Sequence, residues 1–377
     1  GKAMNDILEK IRKPSLFILL LILNFRFLFT VVLNDRMEIL SVLTIVFFLL
    51  SFDYSSLRKE YLYWLGIFIV ISVFDFTKYK LNVLTPLIIM QCVSTFNLKE
   101  YLRFNILILG TTAVGMLLVF GTGHVIQSDF FSIIRVRSDF GYGHPNTAMI
   151  YYWGLFVSLV LYCYLSKYRN FMWILLGGLL LASTYFYLET DSRSFLFAVV
   201  VFVFVLVYYG LRKRSVRDYH IGYSRYILYA LPVVFTLLSL YFGIFANDYP
   251  KINILFSTRP ALYNELLQSL SPLQYLFGTT AFDRIIIDST YMHLLFEAGV
   301  LLFVYFVWLY YFAMKNIVKQ QNYIVIAVMV SFLVYGLMES LLLFCVIIGN
   351  NLFWVLMYRY RYGIEDGFDV ERKTEEE

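Results

Sequence analysis

The interpretation of this chain depends on residues 247–293, which read NDYPKINILFSTRPALYNELLQSLSPLQYLFGTTAFDRIIIDSTYMH. This is the longest segment that cannot itself cross a membrane, and long apolar runs lie on both sides of it. It places Arg259 at a predicted helix start, followed by a turn and then Asp288 close to Tyr291. The sequence therefore predicts a hydrophobic frame that holds this segment at one membrane face.

The composition predicts an all-α, polytopic membrane protein. The chain has 377 residues, of which 60% are hydrophobic and only 15% charged, whereas soluble domains are about half apolar and a quarter charged. The net charge of +5 requires no nucleic-acid partner, because lysine and arginine collect in cytoplasmic loops of membrane proteins. The three cysteines lie inside apolar runs, so we expect small core residues and neither a disulfide nor a metal site.

A window of about 20 apolar residues, the length that crosses the hydrocarbon core, predicts about twelve spans in a single membrane domain over residues 1–377. They lie at about 15–33, 37–52, 61–75, 81–96, 101–120, 144–166, 170–188, 193–211, 225–245, 289–314, 321–340 and 342–358. A long external segment, 246–288, separates spans nine and ten.

Charge predicts the orientation of these spans. With both termini in the cytoplasm, the inside segments hold 21 of the 31 lysines and arginines, as the positive-inside rule expects. Segments 121–143 and 246–288 are then external. The arginines on the outer side lie against this bias, so we expect them to bind an anion: Arg135, Arg137, Arg193, Arg259 and Arg284. For Arg284 a solvated loop charge is an equal alternative.

Two motifs precede predicted spans on the outer side. RVRSDFGYGHPN, at 135–146, places His144 and Asn146 at a helix start, although Asn146 would also serve only to order the turn. TDSRS, at 190–194, has N-cap residue types before Arg193. The alternative for this arginine is snorkelling to lipid headgroups.

A third motif, STRPALYNELLQSL at 257–270, predicts a short amphipathic helix at about 260–270. Ser257 or Thr258 could cap it, and its leucine stripe is expected to lie on the membrane surface beside a groove for a lipid. A cation at a helix start is repelled by the helix dipole. Arg259 and the first backbone N–H groups therefore predict a phosphate or pyrophosphate site.

The fourth motif, DSTYMHLLFEAG at 288–299, places Asp288, Tyr291 and His293 at the start of span ten. A carboxylate or an imidazole there could take a proton from a sugar hydroxyl, while a plain N-cap role for Asp288 is the alternative. Glu297 lies deeper in the span, and we expect it to pair with Arg26, because an unpaired charge there would be costly.

Together, the GHPN turn, the SR pair at a span start, the external arginine and the D-S-x-Y…LLFEAG run resemble the O-antigen and capsular polysaccharide polymerases, often called Wzy-type. This family is similar to the O-antigen ligases, and the resemblance covers roughly residues 100–345. It implies a GT-C-like, metal-independent membrane glycosyltransferase at the outer face of a bacterial cytoplasmic membrane. The implied substrates are undecaprenyl-pyrophosphate-linked glycans, with no cofactor, and the implied partners are membrane lipids, a chain-length regulator and a flippase.

The resemblance also implies roles for individual residues. Arg193 and Arg259 match the arginines that hold the donor pyrophosphate, with Arg135, Arg137, Asn146, Tyr291 and Arg284 as further substrate-binding candidates. Asp288 stands where the ligases carry a histidine, which favours a polymerase over a ligase. The proton acceptor stays open among Asp288, His293 and His144.

Two other classes compete with this interpretation. A flippase or secondary transporter would show repeat symmetry and helices broken at mid-membrane, and the sequence shows no repeat. Enzymes that use single lipid-phosphate sugars resemble one another in paired acids on the first external loop, and here that loop is only Asn34, Asp35 and Arg36.

Overall fold

A computed structural model describes residues 2–74, 78–94, 96–121, 130–131, 136–215 and 221–364. Apart from a two-residue antiparallel pair, β1 (Phe130–Phe131) with β2 (Val136–Arg137), the regular structure is helical. The helices are α1 (Lys2–Val32), α2 (Glu38–Ser51), α3 (Lys59–Phe74), α4 (Lys78–Val93), α5 (Leu98–Gly121), α6 (Pro145–Leu165), α7 (Met172–Thr190), α8 (Arg193–Ser215), α9 (Ser224–Ile244), α10 (Pro250–Leu255), α11 (Arg259–Ser269), α12 (Pro272–Phe277), α13 (Thr290–Met292), α14 (Val300–Lys319), α15 (Tyr323–Met338) and α16 (Asn351–Tyr362).

Within these described ranges, seven helices are long and apolar enough to cross a membrane, namely α1, α5, α6, α7, α8, α9 and α14. Helices α2 and α15 and the 81–93 part of α4 are apolar but shorter. The expected all-helical class is therefore confirmed, and the seven helices are consistent with a polytopic membrane protein. Each of the first nine predicted spans lies on one of the helices α1–α9, while the count of twelve stays a prediction.

Helix α15 forms the centre of the bundle. Its residues 324–336 are all buried, because valine, isoleucine and other apolar side chains cover every face of the helix. It contacts α6, α8, α9, α14 and α16. Helix α6 crosses the chain after α15 at close range, since a Cβ on Gly154 would lie 2.6 Å from the Cα of Gly349. Only glycine at both positions permits this approach.

The predicted tenth span, 289–314, is not one continuous helix. The α13 turn continues into a π-helix, His293–Glu297, and the chain then breaks before α14 begins at Val300. Gly299 has φ +90°, and the backbone of Leu276 fills the place where a Cβ would stand. The packing of α12 against this break therefore ends the helical run that apolar composition alone predicted.

The predicted twelfth span, 342–358, also differs from the structure. Helix α16 begins only at Asn351, and residues 339–350 contain two short 3-10 turns. Side chains satisfy this buried backbone: Asn350 Nδ2 donates to the carbonyl of Leu341 (2.8 Å), and Asn351 Nδ2 donates to that of Cys345 (3.1 Å). Irregular backbone is tolerated at such depth only when it is buried and bonded in this way.

The 246–288 segment packs against the helical bundle. In α11, Leu266 is completely buried in a cluster with Phe282, Met292 and Phe296, and Leu262 and Leu270 pack partly against the same cluster. Leu266 therefore fixes α11, and with it Arg259, to the protein. Leu262 and Leu270 are only partly buried, so the expected contact of the leucine stripe with the membrane surface stays a prediction.

Candidate functional site

A cavity of about 500 Å³ lies at the end of the bundle where α6, α8 and α11 begin and α15 finishes. We call this the first cavity. All four motifs identified in the sequence contribute to it, although they are far apart in the chain. Its polar lining consists of Arg137, His144, Asn146, Arg193, Ser194, Ser257, Arg259 and Asp288.

Glu339 is the polar centre beneath this cavity. It follows the last residue of α15, is 4% exposed, and its Oε1 accepts from Asn146 Nδ2 (2.7 Å) and Ser194 Oγ (2.7 Å). Arg259 Nη2 lies 3.4 Å from the same oxygen. Glu339 therefore joins the start of α6, the start of α8 and Arg259 at the floor of the cavity.

Asn146 connects two of the motifs to Glu339. While its Nδ2 donates to Glu339, its Oδ1 accepts from Arg137 Nη2 (2.7 Å) and Ser192 Oγ (2.9 Å). Arg137 is fixed further because its Nε donates to the carbonyl of Thr190 (2.8 Å). Asn146 thus does more than order its own turn, since it joins the starts of α6 and α8 to the end of α15.

His144 lines the same wall as the N-cap residue of α6. Its Nδ1 accepts from the backbone N–H of Asn146 (3.1 Å), so the proton of the neutral ring is on Nε2. Burial, followed by the charge of Arg137, lowers the pKa of His144. A neutral ring in this tautomer offers an N–H donor, which suits a phosphate or sugar oxygen better than it suits proton abstraction.

Arg259 lies between the two acids of the site. Its Nη2 approaches Glu339 at 3.4 Å, and its Nε lies 3.8 Å from Oδ2 of Asp288. The arginine side chain is only 15% exposed, whereas that of Asp288 is 37% exposed. Asp288 is therefore the carboxylate that an entering molecule can reach. Arg259 is a mostly buried cation whose present contacts are long enough to be exchanged.

The backbone before Arg259 is held in an unusual conformation. Ser257 and Thr258 have φ of +55° and +65°, a region that costs a non-glycine residue about 1–3 kcal/mol. Neither side chain caps α11, contrary to expectation, and Asn253 Oδ1 instead accepts from the N–H of Ala261 (3.0 Å). Surrounding contacts thus impose the turn that points the chain from α10 into the start of α11.

The remaining wall of the first cavity is apolar and continues to the outer surface of the bundle. Phe197, Ile254 and Leu255 line the cavity and are 50%, 67% and 58% exposed. Arg193 is held at this boundary, with its Nη1 donating to the carbonyl of Leu255 (3.1 Å). The cavity therefore combines guanidinium groups with an exposed hydrophobic wall, an arrangement complementary to an anionic headgroup on a hydrocarbon chain.

Other candidates from the sequence do not line this cavity. His293 is buried, with Nδ1 2.5 Å from Glu297 Oε2 and Nε2 2.8 Å from the carbonyl of Ile287. Tyr291 is buried and donates to the carbonyl of Leu333 (2.6 Å). Arg284 lies exposed after a 3-10 turn. Arg135 falls outside the described residues.

The expected pairing of Glu297 with Arg26 is wrong. Glu297 pairs with His293, four residues before it on the π-helix, whereas Arg26 Nη1 lies 3.4 Å from Thr44 Oγ1. The two charges occupy similar depths in their predicted spans. Because the chain breaks before α14, the side chain of Glu297 contacts His293 of the same π-helix and not Arg26 of α1.

Glu339 is the residue of the site that the sequence analysis missed. It stands between apolar runs in GLMESLLL, and an acid at such a position is a functional or paired residue by default. The same signal that marks Glu297 as a paired or functional acid therefore marks Glu339 as well. Ser192 and Ser194 carried no comparable signal, because serine is common at helix starts for capping alone.

Comparison of the chain with protein-family models, with curated proteins and with solved structures gives no match. No group of three or more potential metal-binding side chains comes together in the part of the chain that the structure describes. The chemistry that the site offers is three guanidinium groups, a reachable carboxylate and a neutral imidazole around one half-open space.

Proposed function

We propose that this protein is a membrane glycosyltransferase that joins undecaprenyl-pyrophosphate-linked oligosaccharide repeats into a polysaccharide, such as an O-antigen, capsule or exopolysaccharide. It works at the outer face of a bacterial cytoplasmic membrane, with both termini in the cytoplasm. The twelve-span topology and the GT-C-like class belong to this proposal. The resemblance of the four motifs to polysaccharide polymerases motivates it.

The single observation that supports it most is the composition of the first cavity. Arg137, Arg193 and Arg259 surround a space whose remaining wall is exposed and apolar at Phe197 and Leu255. Guanidinium groups hold two phosphate oxygens at once and stay charged at any relevant pH. A polyprenyl pyrophosphate has the matching combination of an anionic head and a hydrocarbon tail.

In the proposed reaction, a hydroxyl of the acceptor glycan attacks the anomeric carbon of the donor. A new glycosidic bond forms, the bond from that carbon to the pyrophosphate oxygen breaks, and undecaprenyl pyrophosphate leaves with the bonding electrons. Arg259 and Arg193 stabilise the charge that develops on this leaving group. Neutral His144 donates from Nε2 to a phosphate or sugar oxygen.

Asp288 is the proposed proton acceptor for the attacking hydroxyl. It lines the cavity, and its side chain is 37% exposed, so a substrate oxygen can reach it. His144 presents the donor side of its ring, and both ring nitrogens of His293 are engaged outside the cavity. Glu339 acts as a positioning residue, because its described contacts hold Asn146, Ser194 and Arg259 in place.

A flippase or transporter of lipid-linked glycans is the second candidate, and one observation favours it. The breaks before Val300 and over residues 339–350 produce the discontinuous helices that transporters place around their binding sites. These breaks support a transporter less strongly than the first cavity supports a transferase. A reachable carboxylate beside the arginines has no evident use in translocation. A ligase-like transferase is a third outcome.

Cells that lack the protein distinguish these three functions. We expect single repeat units on undecaprenyl pyrophosphate to accumulate at the outer face, where an added membrane-impermeant glycosidase can digest them. Accumulation at the inner face would indicate a flippase, and accumulation of long lipid-linked chains would indicate a ligase. Either result would overturn the polymerase assignment.

A further inference from the structure

A second cavity, of about 550 Å³, lies between α1, α2, the start of α6 and residues 341–347. Arg26 and Arg36 both line it, and Thr30, Ser41 and Thr147 add hydroxyl groups. Leucine, phenylalanine, valine and isoleucine side chains complete the wall. Like the first cavity, it combines two or more guanidinium groups with apolar surface.

Arg26 is the informative member of this second cavity. It lies six residues before the end of α1, which corresponds to a depth of about 9 Å. Within the described residues it forms no ion pair, and its hydrogen bond to Thr44 Oγ1 is long at 3.4 Å. A charged side chain at this depth in a spanning helix normally faces a partner or a water-filled space. No described acid pairs with it, and its side chain lines the open space of the second cavity.

The two cavities lie on either side of one thin wall. Asn146 lines the first cavity and the next residue, Thr147, lines the second. Likewise Met338 faces the first cavity and Leu341 faces the second, with Glu339 and Ser340 between them. The wall therefore carries the Asn146–Glu339 hydrogen bond at its centre.

We propose that the second cavity binds the phosphate groups of a second polyprenyl-linked substrate, the acceptor, while the first cavity holds the donor. This inference rests on the proposed function. A reaction between two lipid-linked glycans brings two anionic headgroups close together, and separate cations at each headgroup would offset the repulsion between these like charges. A flippase or a transporter would need only one such headgroup site.

The test is a binding stoichiometry that does not depend on catalysis. The purified protein is placed in nanodiscs of zwitterionic phosphatidylcholine, and radiolabelled undecaprenyl pyrophosphate is titrated. We expect two molecules per wild-type chain and one per Arg26→Met chain, with affinity at the second cavity weakened by about 10- to 100-fold. Arg26→Met removes an unpaired charge from an apolar helix, so its thermal stability should match or exceed that of the wild type.

Two further variants serve as controls for this experiment. Arg36→Ala changes an exposed residue at the same cavity and should weaken the same binding event without affecting folding. Arg225→Ala removes an exposed arginine at the start of α9, away from both cavities, and should leave two sites. If the Arg26 and Arg36 variants both still bind two molecules, the inference is wrong.

Competition identifies the ligand. Phosphatidylglycerol in the nanodisc and free inorganic pyrophosphate are each added against the second binding event. If either displaces it at a concentration comparable with that of the probe, the second cavity is a general phospholipid or phosphate site and the acceptor assignment fails. A wild-type stoichiometry of one, lost in Arg259→Ala but not in Arg26→Met, would also reject the second site while leaving the polymerase proposal standing.

Discussion

Replacing Arg259 with alanine tests both the proposed role of this residue in the reaction and its contribution to folding stability. The variant loses the guanidinium that lies 3.4 Å from Glu339 and 3.8 Å from Asp288. Because the side chain of Arg259 is only 15% exposed, its loss affects folding as well as binding. Glu339 would stay buried with Asn146 and Ser194 as its remaining hydrogen-bond donors.

The two effects have different expected sizes. Removing one partner from a buried ion pair costs about 3–5 kcal/mol. Here the contact is long, and Glu339 keeps two hydrogen-bond donors when Arg259 is removed. We therefore expect a smaller loss of stability, about 1–3 kcal/mol, the range for a buried group left without a partner. The loss in polymerisation rate should be about 100- to 1000-fold, as for other donors to a developing oxyanion.

A double variant separates these effects. Arg259→Ala combined with Glu339→Gln removes the unpaired acid, so we expect most of the lost thermal stability to return. Polymerisation should stay low, because the cation for the leaving group is still absent. Arg259→Lys is the matched charge control, and it should keep stability better than activity because lysine lacks the planar fork.

The assays are thermal unfolding of the purified variants and the initial rate of repeat-unit joining, measured on the same preparations. If the double variant recovers both stability and rate, Arg259 serves only to neutralise Glu339. If Arg259→Ala works at the wild-type rate, the pyrophosphate role passes to Arg193 or Arg137.

Two further results are expected from other residues. Asp288→Asn should lower the joining rate by about 100- to 10,000-fold, as for loss of a general base, with little change in melting temperature because the side chain is 37% exposed; a large fall in melting temperature beside the loss of rate would contradict this. Gly154→Ala should destabilise by about 1–3 kcal/mol through overpacking against Gly349, whereas Gly177→Ala, with open space around it, should be neutral or stabilising in the same melt.

Much of the first cavity could be predicted from local sequence signals. Arg137, Arg193 and Arg259 lie in motifs on the predicted external segments, where the charge bias of the spans makes arginine unexpected. Helix-start residue types around Arg193 and Arg259 indicated that these two arginines lie at helix ends, and such ends meet at one face of a bundle. The structure brings these arginines together around one space.

The predictions that proved wrong depended on contacts between elements that are distant in the chain. The break at Gly299 arises because the backbone of Leu276 approaches it, and no periodicity in 289–314 reveals that approach. For the same reason, the depth of Glu297 in its predicted span does not identify its partner, which is His293 on the same π-helix. Leu266 had the spacing of a membrane-surface stripe, but the same spacing equally fits burial against Phe282.

Reconstituted polymerisation tests the central claim most directly. The purified protein is supplied with synthetic undecaprenyl-pyrophosphate-linked repeat units in liposomes, and products are separated by size while released undecaprenyl pyrophosphate is counted. The account predicts a ladder that grows by whole repeat units, with one carrier released for each new linkage and no ladder from Asp288→Asn. Movement of the lipid-linked unit across the bilayer with no ladder and no released carrier would contradict it.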